Sequence, residues 1–168
     1  MSAARPERIP LDAHEQRALA VALFNYTWTL LEKDDRTDRE RELMVAAAHA
    51  SRLLWEEPGE PVNHARGEWQ LARVYAVAGR AEPALHHARL CLELCEAHGI
   101  GDFDLAFAHE AVARAHAVAG DTAAAAEHER LARHAADAIS DPDDREHLLA
   151  DLATLPRHAS SGDSTSTA

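Results

Sequence analysis

Residues 63–99, NHARGEWQLARVYAVAGRAEPALHHARLCLELCEAHG, hold two runs of helix-forming residues that fold back on each other at Gly79. Aligning Leu71–Cys91 with Val112–Ala132, 41 residues downstream, makes ten of 21 positions identical. Six of those are not alanine: Arg73/Arg114, Val77/Val118, Gly79/Gly120, His87/His128, Arg89/Arg130 and Leu90/Leu131. A helix pair repeated at a fixed period is how a solenoid is written, because each pair needs its neighbour to bury its apolar face.

Outward from this stretch, punctuation residues mark further helices. Asp12 with Glu15, and Thr37 with Glu40, form capping boxes that open helices running to about Lys33 and Trp55. Pro61 suits the first turn of a third helix, which Gly79 ends. A fourth runs to Gly99, a fifth is capped by Asp102 and ends at Gly120, and a sixth is capped by Asp121 and reaches about Ile139. Asp141-Pro142 starts a seventh with Leu148, Leu149, Leu152 and Leu155 on one face, suited to covering the end of the stack. The expected organisation is a flexible arm over 1–11, a helical repeat domain over 12–156 and a disordered tail over 157–168.

Hydrophobic residues make up 46% of the 168, yet aromatics are only 5%, so the apolar content is largely alanine. That suits closely packed helices and not a sheet. Seventeen basic against 29 acidic residues give a net charge of −12, which disfavours nucleic acid and anionic membranes as partners. No signal peptide and no apolar run of about 18 residues is evident, so the expectation is a cytoplasmic protein. Cys91 and Cys95, four apart on one helix, read as small buried thiols. No G-x-S-x-G elbow, P-loop or dinucleotide fingerprint occurs.

The segment LARVYAVAGRAEPAL resembles the tetratricopeptide repeat through Leu71, Ala72, Tyr75, Gly79 and Ala84, and in the next copy through Val112, Ala113, Gly120 and Ala125. Its period of 41 exceeds the usual one of about 34, and Glu68 and His109 stand where the family places an aromatic. The family's closing proline is missing as well. The resemblance implies an all-α, right-handed superhelix of three antiparallel helix pairs plus a C-terminal capping helix. It also implies a module that binds a peptide or a partner protein.

In that family the first helix of each pair lines the concave face. The register places Asn25, Trp28 and Glu32 there, then Arg66, Trp69, Gln70 and Arg73, then Phe107, Glu110 and Arg114. Arginine forks recognise carboxylates and tryptophan supplies a flat apolar wall, so a peptide or a small anionic ligand is expected there. A Glu32–Arg73–Glu110 ladder that only ties the layers together is the competing reading. A homodimer is a further allowed assembly.

Glu68 and His109 in adjacent layers form a candidate acid–base pair, which makes a small enzyme the rival function. His49 and His86 approach the same region from neighbouring helices, so His49, His86 and His109 are candidate ligands for a divalent transition metal. A structural hydrogen bond between Glu68 and His109 is the simpler reading. The leading expectation carries no cofactor. His14, His98, His128, His134, His147 and His158 are expected on the surface.

Overall fold

The computed structural model describes residues 11–157; of the arm expected over 1–11 and the tail expected over 157–168, residues 1–10 and 158–168 lie outside the described residues. Among the described residues the chain is all-helical, with seven helices and no strand. They are α1 (Ala13–Leu31), α2 (Asp38–Leu54), α3 (Pro61–Val77), α4 (Ala81–His98), α5 (Asp102–Ala119), α6 (Thr122–Ala136) and α7 (Pro142–Ala153). None of them is long and apolar enough to cross a membrane.

Local chemistry fixes the ends. Asp12 Oδ1 accepts from the amides of His14 and Glu15 while Glu15 returns to the Asp12 amide, and Thr37 and Glu40 do the same for α2. Gly79 and Gly120 take φ of +69° and +80°, in the left-handed region where a side chain is strained. That turn lets the Arg80 amide reach Tyr75 O at 2.9 Å and the Asp121 amide reach His116 O at 3.0 Å. Asp102 departs from its expected capping role: Gly101 is the N-cap of α5, and Asp102 is its first residue at φ +53°. Its carboxylate instead accepts from the Ser140 amide and hydroxyl, each at 3.2 Å, tying the start of α5 to the segment before α7.

The helices pack as neighbouring pairs, α1 on α2, α3 on α4 and α5 on α6, with α2 against α3 and α4 against α5 joining the pairs. Helices α1, α3 and α5 also touch in sequence along one side, and α7 lies on α5 and α6. Small residues make the close approach possible: Ala106, Ala108, Ala111, Ala113, Ala115 and Ala117 of α5 are all buried.

Three apolar clusters result. One surrounds Leu30, Met44, Leu71, Val74 and Val112; a second joins Phe107 to Ile139, Leu148, Leu152 and Leu155; a third holds Ala65, Ala108 and the free thiols Cys91 and Cys95. Trp69 packs against all three.

Candidate functional site

On the α1–α3–α5 side, Trp28, Trp69 and Phe107 form a continuous aromatic strip. The Trp28 and Trp69 ring centroids lie 5.4 Å apart and those of Trp69 and Phe107 5.3 Å apart, the second pair edge to face. Phe24 extends the strip beyond Trp28, and Phe103 and His147 extend it beyond Phe107. A spacing of four residues sets Phe24 with Trp28 on one face of α1 and Phe103 with Phe107 on one face of α5, and Trp69 of α3 lies between them. Beside it opens a cleft of about 180 Å³ lined by Val21, Phe24, Trp55, Asn63 and Arg66.

The charged residues expected on this side are brought close, with partners the sequence did not supply. Arg66 forms a two-pronged bond to Asp104, Nε–Oδ1 2.7 Å and Nη2–Oδ2 2.9 Å. That pairing raises the Arg66 pKa, with burial opposing it. Arg73 pairs with Asp151 and lies 4.0 Å from Glu110. Arg114 Nε donates to Glu110 Oε1 at 2.7 Å, and its Nη2 donates to Asp151 O at 2.9 Å and Thr154 Oγ1 at 2.8 Å.

The ladder therefore needs two corrections. Arg66 and Arg114, to which the ladder assigns no carboxylate, pair with Asp104 and Glu110, and Glu32, the exposed C-cap of α1, makes no ion pair with Arg73. For Arg73 and Arg114 the physical reason is the end of α7, whose Asp151 and following carbonyls arrive over α5 and take these guanidinium groups; for Arg66 it is Asp104 of α5. Glu110, 1% exposed, keeps Oε2 without a hydrogen-bond partner. Asn25 is exposed, and its carbonyl accepts from the Thr29 hydroxyl.

The second candidate site is also rearranged. Glu68 does not meet His109: it receives Arg52 on one oxygen and His87 Nδ1 on the other at 2.6 Å. Burial alone would raise the Glu68 carboxyl, but the hydrogen bonds from His87 and Arg52 outweigh it and hold it below the usual carboxylate value. His49 Nε2 lies 2.7 Å from the Tyr75 hydroxyl, and Tyr75 stacks on His87 with centroids 5.6 Å apart. Burial, then His87 and Arg52, push the His49 pKa down. On the outer side of Glu68 a cleft of about 390 Å³ is lined by Arg52, Glu56, His64, Leu90, Glu93 and Leu94 as well.

His109 faces His128 instead, Nδ1 to Nδ1 at 3.3 Å, and His116 stacks on His128. His128 is therefore half-buried, not the surface residue the sequence suggested. The proposed trio does not assemble: His49 is with Tyr75, His86 lies against His87, and His109 is with His128. Among the described residues no three His, Cys, Asp or Glu side chains are grouped to hold a metal ion.

The contacts Glu68–His87 and His109–His128 stand 41 residues apart, as do the stacked rings Tyr75–His87 and His116–His128. His87 and His128, identical between the two copies, were the signal that could have located both partners. Comparison with protein-family models, curated proteins and solved structures gave no match to this chain.

Proposed function

We propose that the chain is a binding module, a divergent tetratricopeptide-like stack whose three helix pairs wind into a right-handed superhelix. Its α1–α3–α5 side is then the concave face and holds an apolar segment of a partner protein. The recurrence of side-chain contacts at 41 residues supports the repeat architecture. The observation that carries the binding reading is the aromatic strip running into an open cleft.

Size and charge favour a peptide over a small anion. A cleft of about 180 Å³ is below the roughly 300–1,000 Å³ of small-molecule sites but accommodates one or two side chains. Arg73 and Arg114 already neutralise Glu110 and Asp151, so an anion there would have to displace carboxylates. Arg66, half-exposed at the rim and fixed there by Asp104, and Asn63 line the cleft where they would meet a partner's backbone.

Panning a random peptide library on tag-free protein should enrich sequences sharing an apolar anchor. Trp28→Ala and Arg66→Ala should each weaken the enriched peptide at least about tenfold, or 1.4 kcal/mol, with far-UV circular dichroism and melting at wild-type values. Absence of enrichment, or binding indifferent to both variants, removes this reading.

The rival enzyme reading moves from Glu68/His109 to Glu68/His87, a carboxylate–imidazole pair beside a cleft of small-molecule size. A peptide that loses affinity through Glu68→Gln and not through Trp28→Ala would favour it.

A further inference from the structure

The two repeat copies join their helix pairs with different chemistry at one equivalent place. Between α3 and α4, Glu68 accepts from His87 Nδ1 at 2.6 Å. Between α5 and α6 the corresponding residues are His109 and His128, hydrogen-bonded Nδ1 to Nδ1 at 3.3 Å. A carboxylate accepts from an imidazole whether the ring is neutral or charged. Two imidazoles meeting through the same nitrogen lack that freedom, because one Nδ1 must carry the hydrogen and the other must present a lone pair. The α3–α4 contact therefore survives protonation of its histidine. The α5–α6 contact survives one added proton and is broken by a second, which sets two N–H groups and two positive charges against each other.

Little around the pair compensates that second charge. The histidine ion pairs among the described residues are those of His87 and His116, not of His109 or His128. His116 of α5 stacks on His128 with centroids 6.1 Å apart, and its own Nδ1 lies 3.4 Å from Asp121 Oδ2 in the turn between the two helices. Glu127 of α6 and Glu96 of α4 favour protonation of the pair, whereas Arg89 of α4 opposes it. Burial, then the adjoining imidazole (His128 for His109, His116 for His128), outweighs the carboxylates and lowers both pKa values.

We propose that the His109–His128 bond is an acid-sensitive latch, which on double protonation frees α6 from α5 while Glu68 and His87 keep α3 on α4. In the open form both rings are hydrated and take protons at about the ordinary value of 6.5. The closed pair holds one at most. Below that value each pH unit then favours the open form by up to about tenfold. Helix α7 lies on both α5 and α6 and shares an apolar cluster with them, so it loosens with α6. The latch needs no ligand and stands or falls independently of the peptide-binding proposal.

Hydrogen exchange of tag-free full-length protein, corrected for the pH dependence of intrinsic exchange, reads opening helix by helix. Between pH 7 and pH 5 the protection of residues 122–136 should fall at least about tenfold, and that of residues 81–98 should fall less. The imidazole resonances of His109 and His128 should titrate in two separate steps, as coupled groups do. His109→Gln and His128→Gln each leave one ring facing an amide, which accepts from a charged imidazole and donates to a neutral one. In both variants, with far-UV circular dichroism at pH 7 showing an intact fold, α6 should keep its protection at pH 5. The latch is refuted if α4 and α6 lose protection in parallel in the wild type, or if the two rings titrate independently at the ordinary value. Folded glutamine variants that open with acid as the wild type does would refute it equally.

Discussion

At Glu68 a buried carboxylate is held by an arginine from one side and an imidazole from the other, and both are needed. Removing one partner of such a group leaves a charge in a poorly hydrated place, which costs far more than the pair contributes. The neighbouring His49 turns this arrangement into a pH dependence. Its surroundings are His87, Arg52, Glu68 and Tyr75; burial first, then His87 and Arg52 against the pull of Glu68, lowers its pKa in the folded chain. The unfolded value is about 6.5. Below it the unfolded chain binds the proton more readily, so stability falls as pH drops from about 7.5 to 5.5. The contribution of Glu68, whose folded pKa is also lowered, persists through that window and disappears only at acid pH, below the ordinary carboxylate value. Melting temperature followed across the window in the presence of chelator should decline, and His49→Gln, which keeps a donor toward Tyr75, should shrink the slope. An unchanged slope in that variant would assign the effect elsewhere. At this scale the His87 partner was legible as the histidine repeated at 128. Arg52 was not, because nothing in a sequence fixes how far α2 slides along α3.

Helix α7 shows the same division between what a pattern carries and what it does not. Its leucines at 148, 152 and 155 repeat on one face, and that periodicity made the helix and its buried side readable. Where it docks was not readable: the Arg73–Asp151 bond spans 78 residues and the Arg114–Asp151 bond 37. Local spacing is silent about such distances, so the ladder left Arg66 and Arg114 without carboxylates and gave Arg73 Glu32 in place of Asp151. The burial of Leu152 sets the expected energetics. Leu152 is 0% exposed between Phe107 and the α6 alanines of the same cluster. Leu152→Ala should lower unfolding free energy by about 2–5 kcal/mol, read from urea unfolding. A loss below about 1 kcal/mol would mean that α7 is loosely seated and its leucines can relax.

For the molecule as a whole, Trp69 is the shared element of all three apolar clusters. The sequence placed it on a ligand-facing row. In the fold it touches Trp28 and Phe107 with its rings and packs against each of the three clusters. It should therefore decide whether the helix pairs unfold together. In wild type, ellipticity and tryptophan fluorescence should report one coincident urea transition. Trp69→Ala should cost about 3–5 kcal/mol and separate the α1–α2 pair from the α5–α7 end, seen as a broadened or biphasic transition by ellipticity. A sharp single transition at nearly wild-type urea would show that the helix contacts alone couple the pairs. The bond from Arg73 to Asp151 has one more consequence, for the order of events during synthesis. The hairpins close with partners a few dozen residues away, but Arg73 waits 78 residues for Asp151, the nearer of its two carboxylates. At about 5–20 residues per second a ribosome takes roughly 4–16 s to deliver it. Until α7 is made, a nascent chain holds the Arg73 guanidinium only against Glu110, 4.0 Å away, and Phe107 has no leucines above it. Chains that stop before residue 151 stay in that condition permanently, which marks them for chaperones and proteases that recognise exposed apolar surface.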